Sequence, residues 1–320
     1  IYNRHGLIMT TYKEIRGTNI EAVASDPSNP VEGQVWYNTT SNVVKGLTIN
    51  SGSWATANSL ITARYALAGV GTQTAALAFG GTPGTKNETE SYNGTSWTEV
   101  NNLTTARFQL AGAGTNTAAL GFGGATPTAV GATELWNGTN WTEVNDLAGA
   151  RRSPGGAGTQ TSALAFGGET TALTELWNGT NWTEVNDLNT ARSKLAGVGA
   201  SNTAALAFGG GPPNTTKTET WNGTNWTEVN DMGTARYALA GAGTQTAALG
   251  FGGYSPTAVT ETWNGTNWTE LADMNVARGY LAGAGTNTLA LAFGGYTPAG
   301  VTAVTEEFTA GPTTVTFDVS

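Results

Sequence analysis

Arginine side chains, which can bind anions, recur at regular intervals along this chain. Six of the nine arginines recur at intervals of 41 to 44 residues, at Arg64, Arg107, Arg151, Arg192, Arg236 and Arg278. The planar guanidinium matches carboxylate and phosphate groups, so a ring of six could bind an anion or an acidic sugar. Acids recur with a similar spacing, at Glu90, Glu134, Glu175, Glu219, Glu261 and Glu306, and at Asp146, Asp187, Asp231 and Asp273. Because six Glu accompany six Arg, we favour structural ion pairs over an anion site.

The numbers and spacing of the Cys, His and Glu residues argue against an enzyme. The chain has no Cys and a single His, His5, which we interpret as a solvated residue rather than a metal ligand. The glutamates recur once per repeat, as scaffold residues do, and not as one catalytic pair. We therefore predict no enzymatic activity, no cofactor and no metal site. The net charge of −9 argues against a nucleic-acid partner, because phosphate backbones repel an acidic surface.

The arginines belong to a repeat that contains four short strand-like runs. In the second copy these runs are 110–114, 117–122, 133–136 and 141–144. Asn-Gly lies between the third and fourth runs, and these two residues favour the positive φ angles of a tight hairpin turn. Apolar residues do not recur with a helical period within the repeats. Six copies of four antiparallel strands predict an all-β fold, a β-propeller.

Glycine pairs and aromatic residues mark the ends of these runs. Gly-Gly closes the second run, starting at Gly80, Gly123, Gly167, Gly209, Gly252 and Gly294. The third run ends in an aromatic residue at Tyr92, Trp136, Trp177, Trp221 and Trp263, and a Trp opens the fourth at Trp97, Trp141, Trp182, Trp226 and Trp268. Over residues 52–308 this pattern resembles the kelch repeat. The resemblance implies four-stranded propeller blades.

The two ends of the repeat region complement each other. Residues 50–58, which include Trp54, hold one turn and fourth run without the three runs that precede them elsewhere. The sixth repeat ends near Phe308 without a fourth run. The N-terminal run should therefore complete the last sheet, which would close a six-bladed kelch-like propeller and cover two sheet edges. We assign 1–49 to an extended N-terminal arm and hairpin, 50–308 to the propeller and 309–320 to a C-terminal tail.

The N-terminal segment carries a second resemblance. The stretch Gly33-Gln34-Val35-Trp36-Tyr37-Asn38 resembles one found in bacteriophage fibre and other virion proteins. Residues 9–33 have no clear apolar period and contain two prolines, which predicts an extended arm. The resemblance implies attachment to a virus particle. We expect Trp36 and Tyr37 to be the docking residues, because aromatic side chains dominate such contacts.

Differences among the six copies are concentrated in two segments. The loop between the second and third runs varies, and so do the residues directly after each Arg, whereas the other two turns are almost unchanged. In an antiparallel sheet both variable segments lie at the same end. Loops on a rigid scaffold often carry recognition, although drift in tolerant loops is the alternative. The binding residues that we predict on this face are Tyr65, Phe108, Arg152, Lys194, Tyr237, Tyr254, Tyr280 and Tyr296.

Together these patterns favour a non-enzymatic structural protein of a phage virion, a fibre or surface propeller that recognises a glycan or protein of the host surface. The expected partners are other virion proteins, bound through the arm, the host-surface ligand, and further copies of the chain. No membrane insertion is expected, because no apolar run is long enough to span a bilayer. The alternative is a bacterial kelch-like adhesion or scaffold protein at the cell surface or outside the cell. A kelch-type enzyme is the third reading.

Overall fold

The computed structural model describes residues 20–28, 34–49, 51–169, 171–254 and 256–317. In these ranges the chain is all-β, with seven four-stranded sheets and no helix. No helix long and apolar enough to cross a membrane occurs in the described residues. The chain divides into two compact units, one of residues 1–50 with 311–320, and one of residues 51–310.

The first unit contains one sheet with strands from both ends of the chain. Its strands are β1 (Glu21–Val23), β2 (Val35–Asn38), β3 (Val43–Ile49) and the last strand of the chain, β30 (Pro312–Phe317). β2 and β3 form an antiparallel hairpin, β1 runs parallel to β2, and β30 lies antiparallel to β3. The C-terminal segment, predicted from the sequence to be a tail, is therefore a strand of this sheet.

The second unit contains the six repeats. The first strand in this unit is β4 (Ser53–Ala57). Repeats one to three form β5 (Ala68–Thr72), β6 (Ala75–Phe79), β7 (Thr89–Tyr92), β8 (Trp97–Val100), β9 (Ala111–Gly114), β10 (Ala119–Phe122), β11 (Thr133–Trp136), β12 (Trp141–Val144), β13 (Gly155–Thr159), β14 (Ser162–Phe166), β15 (Thr174–Trp177) and β16 (Trp182–Val185). Repeats four to six form β17 (Ala196–Ser201), β18 (Ala204–Phe208), β19 (Thr218–Trp221), β20 (Trp226–Val229), β21 (Ala240–Gly243), β22 (Ala248–Phe251), β23 (Thr260–Trp263), β24 (Trp268–Glu270), β25 (Ala282–Gly285), β26 (Leu289–Phe293), β27 (Tyr296–Thr297), β28 (Gly300–Val301) and β29 (Thr305–Thr309).

Each repeat contributes one antiparallel sheet. In the first five repeats the four strands follow in chain order, as in β9, β10, β11 and β12. The sixth sheet has the order β25, β26, β29, β4, with Trp54 opposite Phe308, so the N-terminal strand supplies its missing edge. This is the pairing that the sequence predicts. The arrangement of repeated four-stranded sheets is compatible with a β-propeller.

Side-chain size along each sheet follows the burial of its strands. The first strands consist largely of Ala and Gly because they are crowded: a Cβ on Gly112 would lie 2.8 Å from the Phe79 ring and 2.9 Å from Val70. All four residues of β10 are buried. In the fourth strand β12, only Trp141 is buried. The first strands of all six repeats line one narrow cavity of about 90 Å³.

Aromatic contacts join each sheet to the next. The Phe that ends each second strand packs against the fourth-strand Trp of the following repeat, with ring centroids 4.8–5.1 Å apart. The indole of that Trp donates a hydrogen bond of 3.0–3.1 Å to the first Thr in the third strand of the preceding repeat. The sixth repeat makes both contacts with the first, through Phe293, Trp97 and Thr305. Each aromatic pair contributes about 0.5–1.5 kcal/mol beyond its buried area.

Candidate ligand-binding site

The six repeated arginines are buried and engaged within the protein. Each forms an ion pair of 2.5–3.1 Å with the third-strand Glu of its own repeat, and neither side chain is more than 3% exposed. The pairs are Arg64–Glu90, Arg107–Glu134, Arg151–Glu175, Arg192–Glu219, Arg236–Glu261 and Arg278–Glu306. A buried charge needs such a partner, because desolvation costs several kcal/mol per ion.

Arg107 shows how little of these groups is left for a ligand. Its terminal nitrogens donate to Glu134 at 3.1 Å and to the carbonyl oxygens of Gly121, Gly123 and Ala132. The carboxylate of Glu134 also accepts the backbone N–H of Thr104 at 2.7 Å. In each of the six arginines, the buried Nε has no hydrogen-bond partner in the described part of the chain. Because the side chains are buried and their terminal nitrogens bind within the protein, the guanidinium groups hold the repeat together and are not presented to an external anion.

Burial dominates the electrostatics of these arginines. Desolvation lowers the pKa of each one, and the partner glutamate offsets part of this effect. For Arg236 the resulting pKa is about 10. The guanidinium therefore stays charged at neutral pH.

The second residue after each Arg forms a ring of backbone hydrogen bonds. These residues have φ angles of 53–55°, a left-handed conformation that side chains other than Gly rarely adopt. They are Ala66, Gln109, Ser153, Lys194, Ala238 and Tyr280. The N–H of each donates to the carbonyl of its counterpart in the preceding repeat at 2.7–3.1 Å, and Ala66 donates to Tyr280, so the six bonds form a cycle. The six residues of this cycle, which are of five different types, line one shared depression of about 130 Å³.

The two variable segments of each repeat lie side by side. In five repeats an isolated antiparallel bridge joins the residue directly after the Arg to the loop between the second and third strands. Among these pairs are Tyr65 with Thr82, Phe108 with Ala125, and Tyr237 with Tyr254. In the third repeat Arg152 instead pairs with Glu169 at 3.1 Å, and both side chains are exposed. The variable residues thus share one end of their sheets.

Five tyrosines from three repeats form a continuous group, which we call the tyrosine cluster. Its members are Tyr65, Tyr237, Tyr254, Tyr280 and Tyr296, and their ring centroids lie 5.3–6.3 Å apart in successive pairs. Tyr254 and Tyr296 are each 37% exposed, and the other three are partly buried. Lys194 Nζ lies 5.1 Å from the ring centroid of Tyr237 and 5.6 Å from that of Tyr280.

The hydroxyls of Tyr237 and Tyr280 stay protonated at neutral pH. Burial raises the pKa of Tyr280, and the neighbouring Tyr254 raises it further. Burial also raises the pKa of Tyr237. Neutral phenol groups both donate and accept hydrogen bonds, and their rings offer flat apolar surface. The cluster can therefore contact a ligand that carries hydroxyl groups and apolar faces.

Six of the eight predicted binding residues are brought together by the structure. Lys194 and the tyrosine cluster are in mutual contact, whereas Phe108 is half-buried beside its own loop and Arg152 is held by Glu169. Gln109 and Ser153 also line the depression, although they are not among the binding residues predicted from the sequence. The one sequence signal that could have identified them is their position two residues after an Arg, because the six residues at this position are not of one type.

The opposite ends of the sheets carry the uniform turns. In the second repeat the side-chain oxygen of Asn137 accepts the N–H groups of Thr139 and Asn140 at 2.9 and 2.8 Å, and Gly138 has a φ of 90°. Asn145 donates to the Thr180 carbonyl in the next repeat at 3.0 Å. These bonds account for the near-constant sequence of the turns in structural terms.

The predicted docking residues of the first unit differ in exposure. Trp36 is fully buried, and its indole donates to Asp26 at 3.0 Å, so this ring stabilises its own unit instead of reaching a partner. Tyr37 is half-buried, and its hydroxyl donates to Asn42 at 3.2 Å. Hydrogen bonds from Lys45, Trp36 and Asn38 lower the pKa of Asp26 to about 2. His5 and residues 9–19 and 29–33 of the predicted arm lie outside the described residues.

Within the described residues, no group of His, Cys, Asp and Glu side chains is arranged to hold a metal ion. Comparison with family models and with curated proteins found no match to this chain.

Proposed function

We propose that the second unit is a six-bladed kelch-like β-propeller that acts as a non-enzymatic binding module. Three sets of contacts support closure of the ring, because each joins the sixth repeat to the first in the way that it joins the other neighbours. These are the Phe–Trp contacts, the Trp–Thr hydrogen bonds and the ring of backbone bonds after the arginines. The shared cavity lined by the six first strands is consistent with a central channel.

The observation that carries the binding proposal is the tyrosine cluster with Lys194. Tyrosine provides large, rigid contact area at low cost in conformational entropy, and for this reason it is enriched in binding surfaces. The cluster lies in the segments that differ most among otherwise similar repeats. A surface of phenol rings and hydroxyls suits a glycan, because the rings stack on sugar faces while polar groups bind the sugar hydroxyls. A protein surface rich in polar side chains is the second ligand class.

For the biological setting we propose a phage virion, in which the N-terminal segment attaches the module to the particle. The resemblance of residues 33–38 to fibre and virion proteins supports this setting. Because Trp36 is buried, the docking role is better given to the half-buried Tyr37 and to exposed residues of the first unit. The alternative remains a bacterial adhesion or scaffold protein, and an enzyme ranks third.

The binding proposal can be tested with a triple variant, Tyr237→Ala, Tyr254→Ala and Tyr296→Ala. We expect the variant to lose binding to a panel of immobilised bacterial polysaccharides and to whole cells. A matched control replaces three exposed threonines of the uniform turns, Thr139, Thr180 and Thr266, with Ala and should bind normally. If the control loses binding and the tyrosine variant keeps it, the recognition face has been assigned to the wrong end.

The virion setting has its own test. Mass spectrometry of particles purified from a lysate of the source culture should detect peptides of this chain in stoichiometric amounts. Binding to bacterial surfaces without any presence in particles would favour the bacterial adhesion protein.

A further inference from the structure

The depression inside the ring of backbone bonds is chemically asymmetric. Two of its six ring residues, Ala66 and Ala238, carry only a methyl group and leave room. The other four bring an amide, a hydroxyl, an ammonium and a phenol, from Gln109, Ser153, Lys194 and Tyr280. Six similar repeats therefore build a single site of its kind per chain, and not six equivalent ones.

Lys194 is the one cation among the residues that line this depression. Its ammonium lies against two tyrosine rings, and it forms no ion pair with any carboxylate in the described residues. The six buried glutamates are already bound to the arginines, and Glu169 is bound to Arg152. The charge at the centre of this face is thus uncompensated within the described residues, which leaves it able to bind an external anion.

Neutral hydrogen-bonding groups surround that charge. Neither the Gln109 amide nor the Ser153 hydroxyl has a hydrogen-bond partner in the described part of the protein, and the side chain of Ser153 is largely buried. A carboxylate oxygen accepts hydrogen bonds from an ammonium, an amide N–H and a hydroxyl alike. A single positive charge with neutral donors matches a monoanion better than a phosphate monoester, which carries nearly two negative charges.

The size of the depression limits how much of a ligand enters it. Its volume of about 130 Å³ is below the roughly 300–1,000 Å³ of pockets that enclose a drug-sized molecule. One sugar substituent can enter, while the rest of a glycan lies outside, where the exposed rings of Tyr254 and Tyr296 are available. The overall charge of −9 disfavours a polyanion at long range, so contacts at each chain should be weak.

We propose that the depression binds the carboxylate of one acidic sugar residue per chain, with Lys194 as its counter-charge and the tyrosine cluster against the sugar ring. This inference rests on the proposed glycan-binding function of the same face. It places an anion site at a single lysine and not at the arginines, because the arginines are paired with glutamate.

The test is a calorimetric or NMR titration with methyl β-D-glucuronide and with methyl β-D-glucoside, its neutral counterpart. We expect one site per chain and about tenfold tighter binding of the glucuronide, the factor expected for one charge-assisted contact. This preference should disappear in Lys194→Gln, persist in Lys194→Arg and decrease as salt rises. Lys217→Gln is the matched control, because Lys217 is a half-exposed lysine that pairs with Glu228 outside the depression. N-acetylneuraminic acid, titrated in parallel, shows whether the site prefers a uronate or a sialic acid.

Equal affinity for glucuronide and glucoside would overturn the proposal, and so would a preference that survives Lys194→Gln. Absence of binding by both acidic sugars at millimolar concentration would also overturn it. The broader glycan-binding function fails on a different result, namely unchanged polysaccharide binding by the triple tyrosine variant. If that variant loses binding while charge makes no difference, the face binds neutral glycans and only the acidic site is refuted.

Discussion

Removal of one buried carboxylate should reveal how strongly the repeat depends on its ion pairs. Glu134→Ala leaves the Arg107 guanidinium buried without a counter-charge and leaves the N–H groups of Thr104 and Thr105 without their acceptor. Breaking a buried ion pair from one side costs about 3–5 kcal/mol. We take about 4 kcal/mol, because water entering the space left by the side chain can satisfy part of the exposed donors. For a unit of this size, this cost lowers Tm by about 8–16 °C.

The assay is thermal and urea unfolding followed by circular dichroism. Glu143→Ala is the matched control, because Glu143 lies directly opposite Glu134 in the same sheet but is exposed. It should change the free energy of unfolding by no more than about 0.5 kcal/mol. The double variant Arg107→Met with Glu134→Leu should be more stable than Glu134→Ala alone, since no charge is then buried unpaired. Equal melting temperatures for Glu134→Ala and Glu143→Ala would show that the repeat does not depend on the buried Arg107–Glu134 pair.

Two further predictions concern the contact between the first and sixth repeats and, separately, the hydrogen bonds of Asp26 within the first unit. Trp97→Phe removes the hydrogen bond between the first and sixth repeats and should destabilise the fold by about 1–3 kcal/mol. Trp182→Phe removes the same bond between the third and second repeats and should have an effect of the same size. A much smaller effect in Trp97→Phe, measured by urea unfolding, would mean that the first and sixth repeats are not joined as the others are. For Asp26, the folded pKa of about 2 lies below its ordinary value, so the stabilisation is present above pH 4 and is lost as the pH falls from 4 to 2. The indole N–H resonance of Trp36 should shift over that range, and a resonance that stays constant would contradict the proposed bond.

Much of the repeat could be predicted from the sequence because local chemistry determines it. Asn-Gly marks each turn, in which the Gly but not the Asn has a positive φ angle, and the alternation of small, apolar and polar residues predicts the strands of each copy. The pairing of β4 with β29 followed from a run that was missing at one end of the chain and present at the other. These features depend on neighbours in the chain or on counting copies.

The ring of backbone hydrogen bonds after the arginines could not be predicted, because contacts between repeats create it. Its members, such as Gln109, Lys194 and Tyr280, differ in size, shape and charge, and none is the Gly that usually indicates a left-handed conformation. They make backbone bonds to residues 41 to 44 positions away, and Ala66 bonds to Tyr280, which is 214 positions away. The same limit applies to Trp36, whose burial depends on Asp26 and on a sheet that includes the C-terminal strand. Which cations pair with a carboxylate, as the six repeated arginines do, and which have no such partner among the described residues, as Lys194, could likewise be seen only from side-chain positions.

Closure of the six repeats into one ring is the claim on which the binding site depends, and one engineered disulfide tests it directly. Ser53 and Thr309 face each other on β4 and β29, and opposed residues in antiparallel strands have Cα atoms about 4.5–5.5 Å apart, within the range of a disulfide. The natural chain has no Cys, so a Ser53→Cys, Thr309→Cys variant has no competing thiol. The control pair, Ala57→Cys with Thr309→Cys, is offset by about 13 Å along the strand.

Oxidised Ser53→Cys, Thr309→Cys should have no disulfide between chains and no titratable thiol. It should also show a faster mobility on a non-reducing denaturing gel and a higher Tm than its reduced form. The offset control should keep two free thiols. Free thiols in both variants, or disulfides that only link separate chains, would contradict the closed ring.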